Sequence, residues 1–194
     1  MTKLFYYFGT MNSSKTANLL MNIHNYRSQG KKVLLMKPAI DDRFGEITVR
    51  SRIGIEINAD FLIERNSNLI DFFDTSDYYE TIDAIFIDEV QFLSKTNIEQ
   101  LREISTKINI FCFGLRTDYL GKLFEGSKRL FELADNIQEI ESICSECNNK
   151  AIINAKFVMN DNKKVIIYQG SSDIDLGTED KYQPLCYCCW SHKI

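Results

Sequence analysis

The chain has 194 residues, of which 44% are hydrophobic, so it can bury the core of one large domain or of a domain with a small appendage. Its 23 basic and 27 acidic side chains give a formal net charge of −4, which offers no general attraction to nucleic acid or to an anionic membrane. No stretch approaches the ~20 consecutive apolar residues of a membrane span, and the first residues lack the pattern of a secretion signal. We therefore expect a cytoplasmic protein with neither nucleic acid nor membrane as a partner.

Short apolar runs alternate with segments of helical spacing over the first two thirds of the chain. The runs predict strands at 4–8, 32–37, 82–89 and 109–114, and the spacing predicts helices at 15–29, 95–107 and 122–134. Residues 45–81 give a mixed pattern, which alternates at 47–57 like an exposed hairpin or strand and becomes helical at 69–73. Because strands and helices alternate, we predict an α/β fold with a mostly parallel sheet flanked by helices.

A loop after the first predicted strand matches the pattern G-x-x-x-x-G-K-[ST] except at one position. It reads Gly9-Thr10-Met11-Asn12-Ser13-Ser14-Lys15-Thr16, with Ser14 in place of the second glycine. In such loops backbone N–H groups surround a phosphate, the lysine reaches the outer phosphates and the hydroxyl residue ligates Mg²⁺. An ordinary turn is the alternative, because small and polar residues are also common in turns.

Two carboxylates end the predicted buried strand at 82–89. Asp88 and Glu89 follow the loop by roughly 70 residues. A parallel phosphate-binding fold uses a strand-end acid to position Mg²⁺, which makes Asp88 a metal-side candidate and leaves Glu89 as a candidate base. Acids at strand ends also serve as helix caps, so the pair supports a phosphate site only in combination with the loop.

Five of the six cysteines lie after residue 143. Cys144-x-x-Cys147 and Cys186-x-x-Cys189 form two knuckles whose four thiolates suit a structural, tetrahedral Zn²⁺. Cys188 lies inside the second knuckle and is an alternative ligand, although the spacing favours Cys189. We predict a nucleotide-binding domain at 1–136 and a small, β-rich, zinc-stabilised domain at 137–194, with strands at 151–159 and 165–168 and a long loop at 169–177.

The order and spacing of these motifs resemble those of type II thymidine kinases, the zinc-containing cytosolic form. The resemblance covers nearly the whole chain and rests on these segments: 9–16, Asp41 and Arg43, 51–54, 88–92, 114–119, and Lys181-Tyr182 before the second knuckle. It implies a P-loop (RecA-like) kinase domain with a zinc-binding lid domain. It also implies transfer of the ATP γ-phosphate to the 5′-hydroxyl of thymidine or deoxyuridine, with Mg²⁺, in homotetramers inhibited by dTTP.

The resemblance further implies a role for individual residues. Glu89 would take the proton of the 5′-hydroxyl. Binding of ATP and Mg²⁺ would involve Gly9, Thr10, Met11, Asn12, Ser13, Ser14, Lys15, Thr16, Asp41, Arg43, Asp88 and Gln91. Binding of the nucleoside would involve Met11, Phe92, Leu115, Tyr119, Asn154 and Tyr182, where Asn154 replaces a frequent threonine.

Two alternatives compete with the kinase. One is a degenerate homologue that binds nucleotide but has lost turnover through Ser14. The other is an ATPase that acts on DNA or RNA through its zinc knuckles. The second predicts basic residues near the cysteines, whereas Glu141, Glu146, Glu179 and Asp180 are acidic.

Overall fold

The structure is a computed structural model that describes residues 2–41, 43, 45, 47–76, 78–160, 163–168 and 181–192. Its strands are β1 (Leu4–Gly9), β2 (Val33–Pro38), β3 (Thr48–Arg50), β4 (Glu56–Asn58), β5 (Phe61–Ile63), β6 (Ala84–Ile87), β7 (Asn109–Leu115), β8 (Asn136–Glu139), β9 (Ile153–Asn160), β10 (Lys163–Ile166) and β11 (Tyr182–Leu185). The helices are α1 (Lys15–Ser28), α2 (Leu69–Asp74), α3 (Tyr78–Thr81), α4 (Lys95–Ile104), α5 (Glu125–Leu133) and α6 (Tyr187–Ser191), and a 3₁₀ helix spans Val90–Phe92.

The main sheet has six strands in the order β5-β2-β6-β7-β1-β8, and each neighbouring pair is parallel. Its central strands are apolar on both sides, as the buried run 84–87 of β6 shows, because helices cover both faces. Helix α1 packs Leu19, Leu20 and Ile23 on one face, and α4 packs Ile98 and Leu101 on the other. The predicted α/β architecture is confirmed.

Parallel pairing brings the candidate site residues to one edge of this sheet. Gly9 at the end of β1 pairs with Leu115 at the end of β7, and Ile87 at the end of β6 pairs with Cys112. The carboxyl ends of the strands therefore share an edge, which is where open α/β sheets bind their ligands. The phosphate loop, Asp88 and Glu89 meet there.

The mixed pattern at 45–81 corresponds to several short elements. Strands β3 and β4 form an antiparallel hairpin, β5 joins the edge of the main sheet, and α2 and α3 follow. Elements of three to six residues are too short to produce a clear period, which explains why the pattern of the whole segment is mixed.

The small second sheet is antiparallel, in the order β10-β9-β11, which confirms strands near 151–159 and 165–168. The predicted domain boundary at 137 falls inside β8, which pairs with β1 from Asn136 to Glu139. The main sheet therefore continues past that boundary. The predicted loop at 169–177 lies outside the described residues. Within the described part of the chain, no helix has the length and apolar character needed to cross a membrane.

One predicted helix begins later than expected. We predicted a helix from 122, whereas α5 begins at Glu125. The carboxylate of Asp118 accepts hydrogen bonds from the N–H groups of Leu120 and Lys122, both at 2.9 Å. This side chain stabilises a turn in competition with the helix, which accounts for the difference.

Candidate active site

A cavity of about 370 Å³ opens at the carboxyl edge of the sheet, within the size range of small-molecule sites. Many of the predicted site residues line it: Met11, Asn12, Ser14, Lys15, Thr16, Asp41, Arg43, Asp88, Glu89 and Leu115. Segments that are separated by up to about a hundred residues in the chain thus converge on one space. The structure brings together the loop, both strand-end carboxylates and the Asp41–Arg43 segment.

The side chain of Lys15 turns back to the loop residues that precede it. Its side chain is buried, and Nζ donates to the carbonyl oxygen of Thr10 at 2.7 Å and to Oγ of Ser13 at 3.3 Å. Burial lowers the pKa of Lys15 to about 8, although the charges of Glu89 and Asp88 oppose the shift. Both acceptors are neutral oxygens, which anionic phosphate oxygens can replace with a gain in charge-assisted hydrogen bonding.

Two residues of the loop have left-handed backbones. The φ angles are 65° at Asn12 and 60° at Ser14. The left-handed region is costly for side chains other than Gly and, to a lesser degree, Asn and Asp. The missing glycine therefore matters, because the backbone at position 14 adopts the conformation that glycine favours.

Replacing Ser14 by glycine is expected to stabilise the protein by about 1 kcal/mol and to lower the KM for ATP. Ser14 is the N-cap of α1 but makes no side-chain cap hydrogen bond, so the substitution loses no cap. Urea unfolding and steady-state kinetics measure the two effects. Asn12→Gly is the matched control, and we expect a smaller gain because Asn tolerates this conformation better. Unchanged or worse stability and KM in Ser14→Gly would show that the loop accepts serine without cost.

A hydrogen bond joins Thr16, at the start of α1, to Asp88, which follows β6. Oγ1 of Thr16 donates to Oδ2 of Asp88 at 3.0 Å. Burial, with a further contribution from the charge of Glu89, raises the pKa of Asp88 to about 7. Asp41 lies on the same cavity and is paired with Lys37 at 3.5 Å. Mg²⁺ prefers hydroxyl and carboxylate oxygens, so Thr16, Asp88 and Asp41 could hold this ion.

Glu89 has both carboxylate oxygens engaged. Nη2 of Arg43 lies 2.6 Å from Oε1, and Nε2 of Gln91 donates to Oε2 at 2.5 Å. Burial opposes its ionisation, but the charges of Arg43 and Lys15 outweigh that effect and lower its pKa. The backbone of Glu89 is left-handed, with φ 50°. Strained backbones of this kind concentrate at functional sites, and an ionised Glu89 can accept a proton.

Gln91 makes its contacts within the protein, next to Glu89. It is buried, and besides contacting Glu89 it accepts a hydrogen bond from the N–H of Leu115 at 2.9 Å through Oε1. Among the described residues it is not part of the cavity wall. Its observed contacts thus orient Glu89, whereas contact with ATP stays a prediction.

Four of the six predicted nucleoside residues form two pairs. Met11 and Leu115 line the cavity. Tyr119 and Tyr182 lie around Lys156, whose Nζ is 5.1 Å and 6.0 Å from their ring centroids. These aromatic side chains therefore come together, although β11 and the segment after β7 are far apart in sequence.

The two remaining nucleoside candidates make contacts within the protein. Phe92 packs edge-on against Phe124, with ring centroids 5.9 Å apart. Asn154 is buried, accepts a hydrogen bond from the N–H of Met11 at 2.7 Å and donates to the carbonyl of Thr117 at 3.3 Å. Contact of either side chain with a nucleoside stays a prediction.

The hairpin of β3 and β4 is the part of the cavity that the sequence did not assign. Arg50, Arg52 and Ile53 line the cavity from it. Oγ of Ser51 donates to the carbonyl of Ile55 at 3.0 Å and accepts from its N–H at 3.1 Å, which closes the turn. The signal available in the sequence was the Ser-Arg-Ile-Gly turn between two alternating segments.

The four predicted zinc ligands cluster. The Sγ atoms of Cys144, Cys147, Cys186 and Cys189 all lie within 4.8 Å of one another. Two of the separations, Cys147 to Cys186 and Cys147 to Cys189, are 3.7 Å and 3.6 Å. Zn–S bonds of about 2.3 Å in a tetrahedron require sulfur atoms about 3.8 Å apart, so the cluster fits Zn²⁺.

The surroundings of Cys144 favour its thiolate. Although burial opposes it, backbone N–H donors from Cys186, Glu146 and Cys147 lower the pKa of Cys144 to about 6. Cys188 is exposed, and its Sγ lies 3.6 Å from Nδ1 of His192 instead of joining the cluster. The geometry therefore selects Cys189 over Cys188 as the fourth ligand.

Comparison with known proteins agrees with this geometry. The family model described as thymidine kinase matches residues 2–190. A thymidine kinase of Haemophilus influenzae is 38% identical over 195 residues, covering 100% of this chain and 98% of its own. Those of Pasteurella multocida and Vibrio cholerae are 38% and 39% identical, covering 100% and 96% of this chain and 99% and 95% of their own.

A crystal structure of Pif1 helicase from Candida albicans matches this chain with a TM-score of 0.42 and 13% identity. The match covers 72% of this chain and 36% of the helicase chain. A likeness of that size carries no functional argument. The full-length match to the family model and to several relatives does, and it shows that the chain belongs to the thymidine kinase family.

Proposed function

We propose that this chain transfers the γ-phosphoryl group of ATP to the 5′-hydroxyl of thymidine or deoxyuridine, so that thymidine gives dTMP. The observation that carries the proposal is the convergence of Lys15, Thr16, Asp88 and Glu89 on one cavity. Phosphoryl transfer needs alignment and charge neutralisation more than covalent chemistry. A buried lysine, oxygen ligands and an ionised carboxylate supply these needs.

In the proposed reaction each residue has one task. Lys15 exchanges its contacts with Thr10 and Ser13 for oxygens of the β- and γ-phosphates. Thr16, Asp88 and Asp41 would hold Mg²⁺, which when bound would offset the negative charge of the phosphates. Glu89 accepts the proton of the 5′-hydroxyl as the bond from the 5′-oxygen to the γ-phosphorus forms and the bond to the β-phosphate bridge breaks, so that ADP leaves.

Arg43 has two neighbours that give it a further proposed task. Its Nε lies 2.6 Å from Asp41, and its Nη2 lies 2.6 Å from Glu89. It therefore keeps Glu89 ionised in the free protein and lies on the same cavity as the loop. We place Arg43 and the loop residues 9–16 in the ATP site, where Arg43 contacts the phosphates once the substrate hydroxyl pairs with Glu89.

We propose that the pyrimidine lies next to the loop, between Met11 and Leu115 on one side and the aromatic group of Phe92, Tyr119 and Tyr182. The support is that Met11 and Leu115 line the cavity and that Tyr119 and Tyr182 share Lys156 as a neighbour. A site of this size with fixed hydrogen-bonding groups discriminates against purines sterically and against cytosine by mismatched donors.

The alternative of a degenerate homologue is not favoured. Ser14 adopts the left-handed conformation that the loop requires, at a cost of about 1 kcal/mol. The residues that the chemistry needs all reach the cavity. A cost of this order slows an enzyme without abolishing its activity.

From the family relationship we also propose how the protein is regulated and assembled. We propose feedback inhibition by dTTP, a homotetramer, a cytosolic location, and a zinc-stabilised unit that covers the substrate. Since β8 belongs to the main sheet, we propose that this unit begins after Glu139.

A panel of nucleosides with Mg-ATP tests the proposed function. We expect phosphorylation of thymidine and deoxyuridine, at least a hundredfold lower kcat/KM for cytosine and purine deoxynucleosides, and inhibition by dTTP. Equal activity across the panel would contradict the proposed base selectivity. ADP binding without turnover of any nucleoside would instead favour the degenerate homologue.

A further inference from the structure

Segments that flank the first cysteine knuckle contact the predicted phosphate loop, residues 9–16, and the residue before it. The N–H of Ile140 donates to the carbonyl of Phe8 at 2.7 Å, and a Cβ on Gly9 would stand 2.4 Å from the carbonyl oxygen of Ile140. Oγ1 of Thr10 lies 2.5 Å from Oγ of Ser142. Three consecutive positions of the chain, 8 to 10, thus contact the segment 140–142.

Asn154 supplies the next contact, from the other flank of the knuckle. Its Oδ1 accepts from the N–H of Met11 at 2.7 Å, and its Nδ2 is fixed by the carbonyl of Thr117 at 3.3 Å. The side chain is 3% exposed, so water cannot readily replace it as the partner of Met11. An N–H that loses such a partner keeps the cost of its desolvation without a hydrogen bond to offset it. The position of Met11 therefore depends on Asn154.

The two flanks of the knuckle are joined to each other and to the second knuckle. The N–H of Ala151 donates to the carbonyl of Ser142 at 2.8 Å, and the N–H of Ser145 donates to the carbonyl of Pro184 at 2.9 Å. Asn154 pairs in register with Pro184, which stands two residues before the zinc-ligand candidate Cys186. The frame that holds Asn154 thus contains both halves of the cysteine cluster.

We infer that Asn154 is a positioning residue for the phosphate loop, and that through Asn154 and Ser142 the four-cysteine cluster sets the geometry of that loop. The inference rests on the proposed use of the loop as the ATP site. Bound zinc joins the two knuckles and so fixes β9 against β11. Since binding coupling is reciprocal, zinc should raise the affinity for ADP, and ADP should raise the affinity for zinc by the same factor.

The test uses the zinc-loaded protein and a fluorescent ADP analogue with Mg²⁺, in the absence of thymidine. Asn154→Leu removes both hydrogen bonds at similar volume, and we expect about five- to tenfold weaker binding of the analogue. Gln183→Leu is the matched control, because Gln183 is a buried amide of the same small sheet that contacts Glu146 and Lys164 instead of the loop. We expect its affinity to stay within about twofold of wild type.

Ser142→Ala tests the second link without a buried substitution. It should weaken binding about two- to threefold, whereas Ser145→Ala, an exposed position on the knuckle, should have no effect. For the reciprocal arm, competition with a chromogenic zinc chelator is measured with and without saturating ADP. We expect ADP to strengthen zinc binding in wild type and Gln183→Leu, and this gain to be absent in Asn154→Leu.

Wild-type ADP affinity in folded, zinc-loaded Asn154→Leu would overturn the inference. If that variant does not fold, unchanged affinity in Ser142→Ala together with zinc affinity indifferent to ADP in the wild type would overturn it equally. Neither arm requires phosphoryl transfer. Failure of the wild type to phosphorylate thymidine would therefore count against the proposed function and leave this inference standing.

Discussion

Replacing Glu89 by glutamine is expected to lower kcat for thymidine by about 10²- to 10⁴-fold, the usual contribution of a general base. Glutamine keeps the shape of the side chain and can still accept a hydrogen bond from Arg43, but it cannot take the proton of the 5′-hydroxyl. The loss should therefore fall on kcat, while the KM for thymidine and the affinity for ADP stay close to wild type. Steady-state kinetics and ADP binding measure the two quantities.

The variant also separates catalysis from stability. Arg43 loses a charged partner in Glu89→Gln but keeps Asp41 at 2.6 Å, so its side chain should remain in place. A hundredfold or greater loss of kcat in Gln91→Leu, combined with an unchanged kcat in Glu89→Gln, would mean that the buried hydrogen-bond network and not the carboxylate supports turnover. Near-normal turnover in Glu89→Gln would remove Glu89 from the role of base.

Replacing Cys189 by serine is expected to abolish stable zinc binding and to unfold the small antiparallel sheet, whereas Cys188→Ser should keep one zinc ion per chain. The two residues are adjacent, so they form a matched pair. Sγ of Cys189 belongs to the cluster, and Sγ of Cys188 is directed at His192. Structural zinc contributes about 10–16 kcal/mol to the folding of small zinc-finger peptides, more than the core of this sheet is expected to supply without it.

Zinc content by atomic emission and the thermal unfolding midpoint are the measurements for this pair. Among the residues that the structure describes, the core around the cluster is small: it consists of Ala155, Phe157, Ile166, Leu185 and the cysteines themselves, with a few partly buried neighbours. Chelation of zinc from the wild type should reproduce the Cys189→Ser result. Retention of zinc and of the melting midpoint in Cys189→Ser, with loss in Cys188→Ser, would reverse the ligand assignment.

The parts of the site predicted from the sequence are those in which local pattern and chemistry coincide. Two strand ends are predicted by an apolar run followed by polar or small residues: the run of β1 is followed by Gly9 and Lys15, and the run of β6 is followed by Asp88. Parallel pairing through β7 then brings these two strand ends to the same edge of the sheet. The cysteine spacing likewise predicts a cluster of four thiolates from two knuckles, although the choice of Cys189 over Cys188 depends on the structure.

The parts that the sequence missed depend on tertiary contacts. Nothing local indicates that Asn154 bonds to the N–H of Met11, 143 residues away. The polar segment Asn136–Glu139 is a strand because β1 pairs with it, although its residues 136–138 are exposed. The alternation at 47–57 indicates a hairpin or strand, but it does not indicate that this hairpin lines the cavity, because that depends on tertiary contacts.

The backbone angle at Ser14 decides what the departure from glycine costs. The departure from glycine was visible at once, but its cost depended on a backbone angle. With φ at 60°, the substitution lies in the region where a side chain is disfavoured. Lys15 and Thr16 nevertheless line the cavity together with Asp88 and Glu89, so we expect a measurable penalty and a working enzyme.

The most direct test of the account is the identity of the product formed from γ-labelled ATP, Mg²⁺ and thymidine by the zinc-loaded protein. We predict that the label appears in thymidine 5′-monophosphate, and that 5′-deoxythymidine, which lacks the accepting hydroxyl, remains unlabelled. Label released as inorganic phosphate without a nucleotide product, or found on the 3′-oxygen, would contradict the assignment of this cavity to 5′-phosphorylation of thymidine.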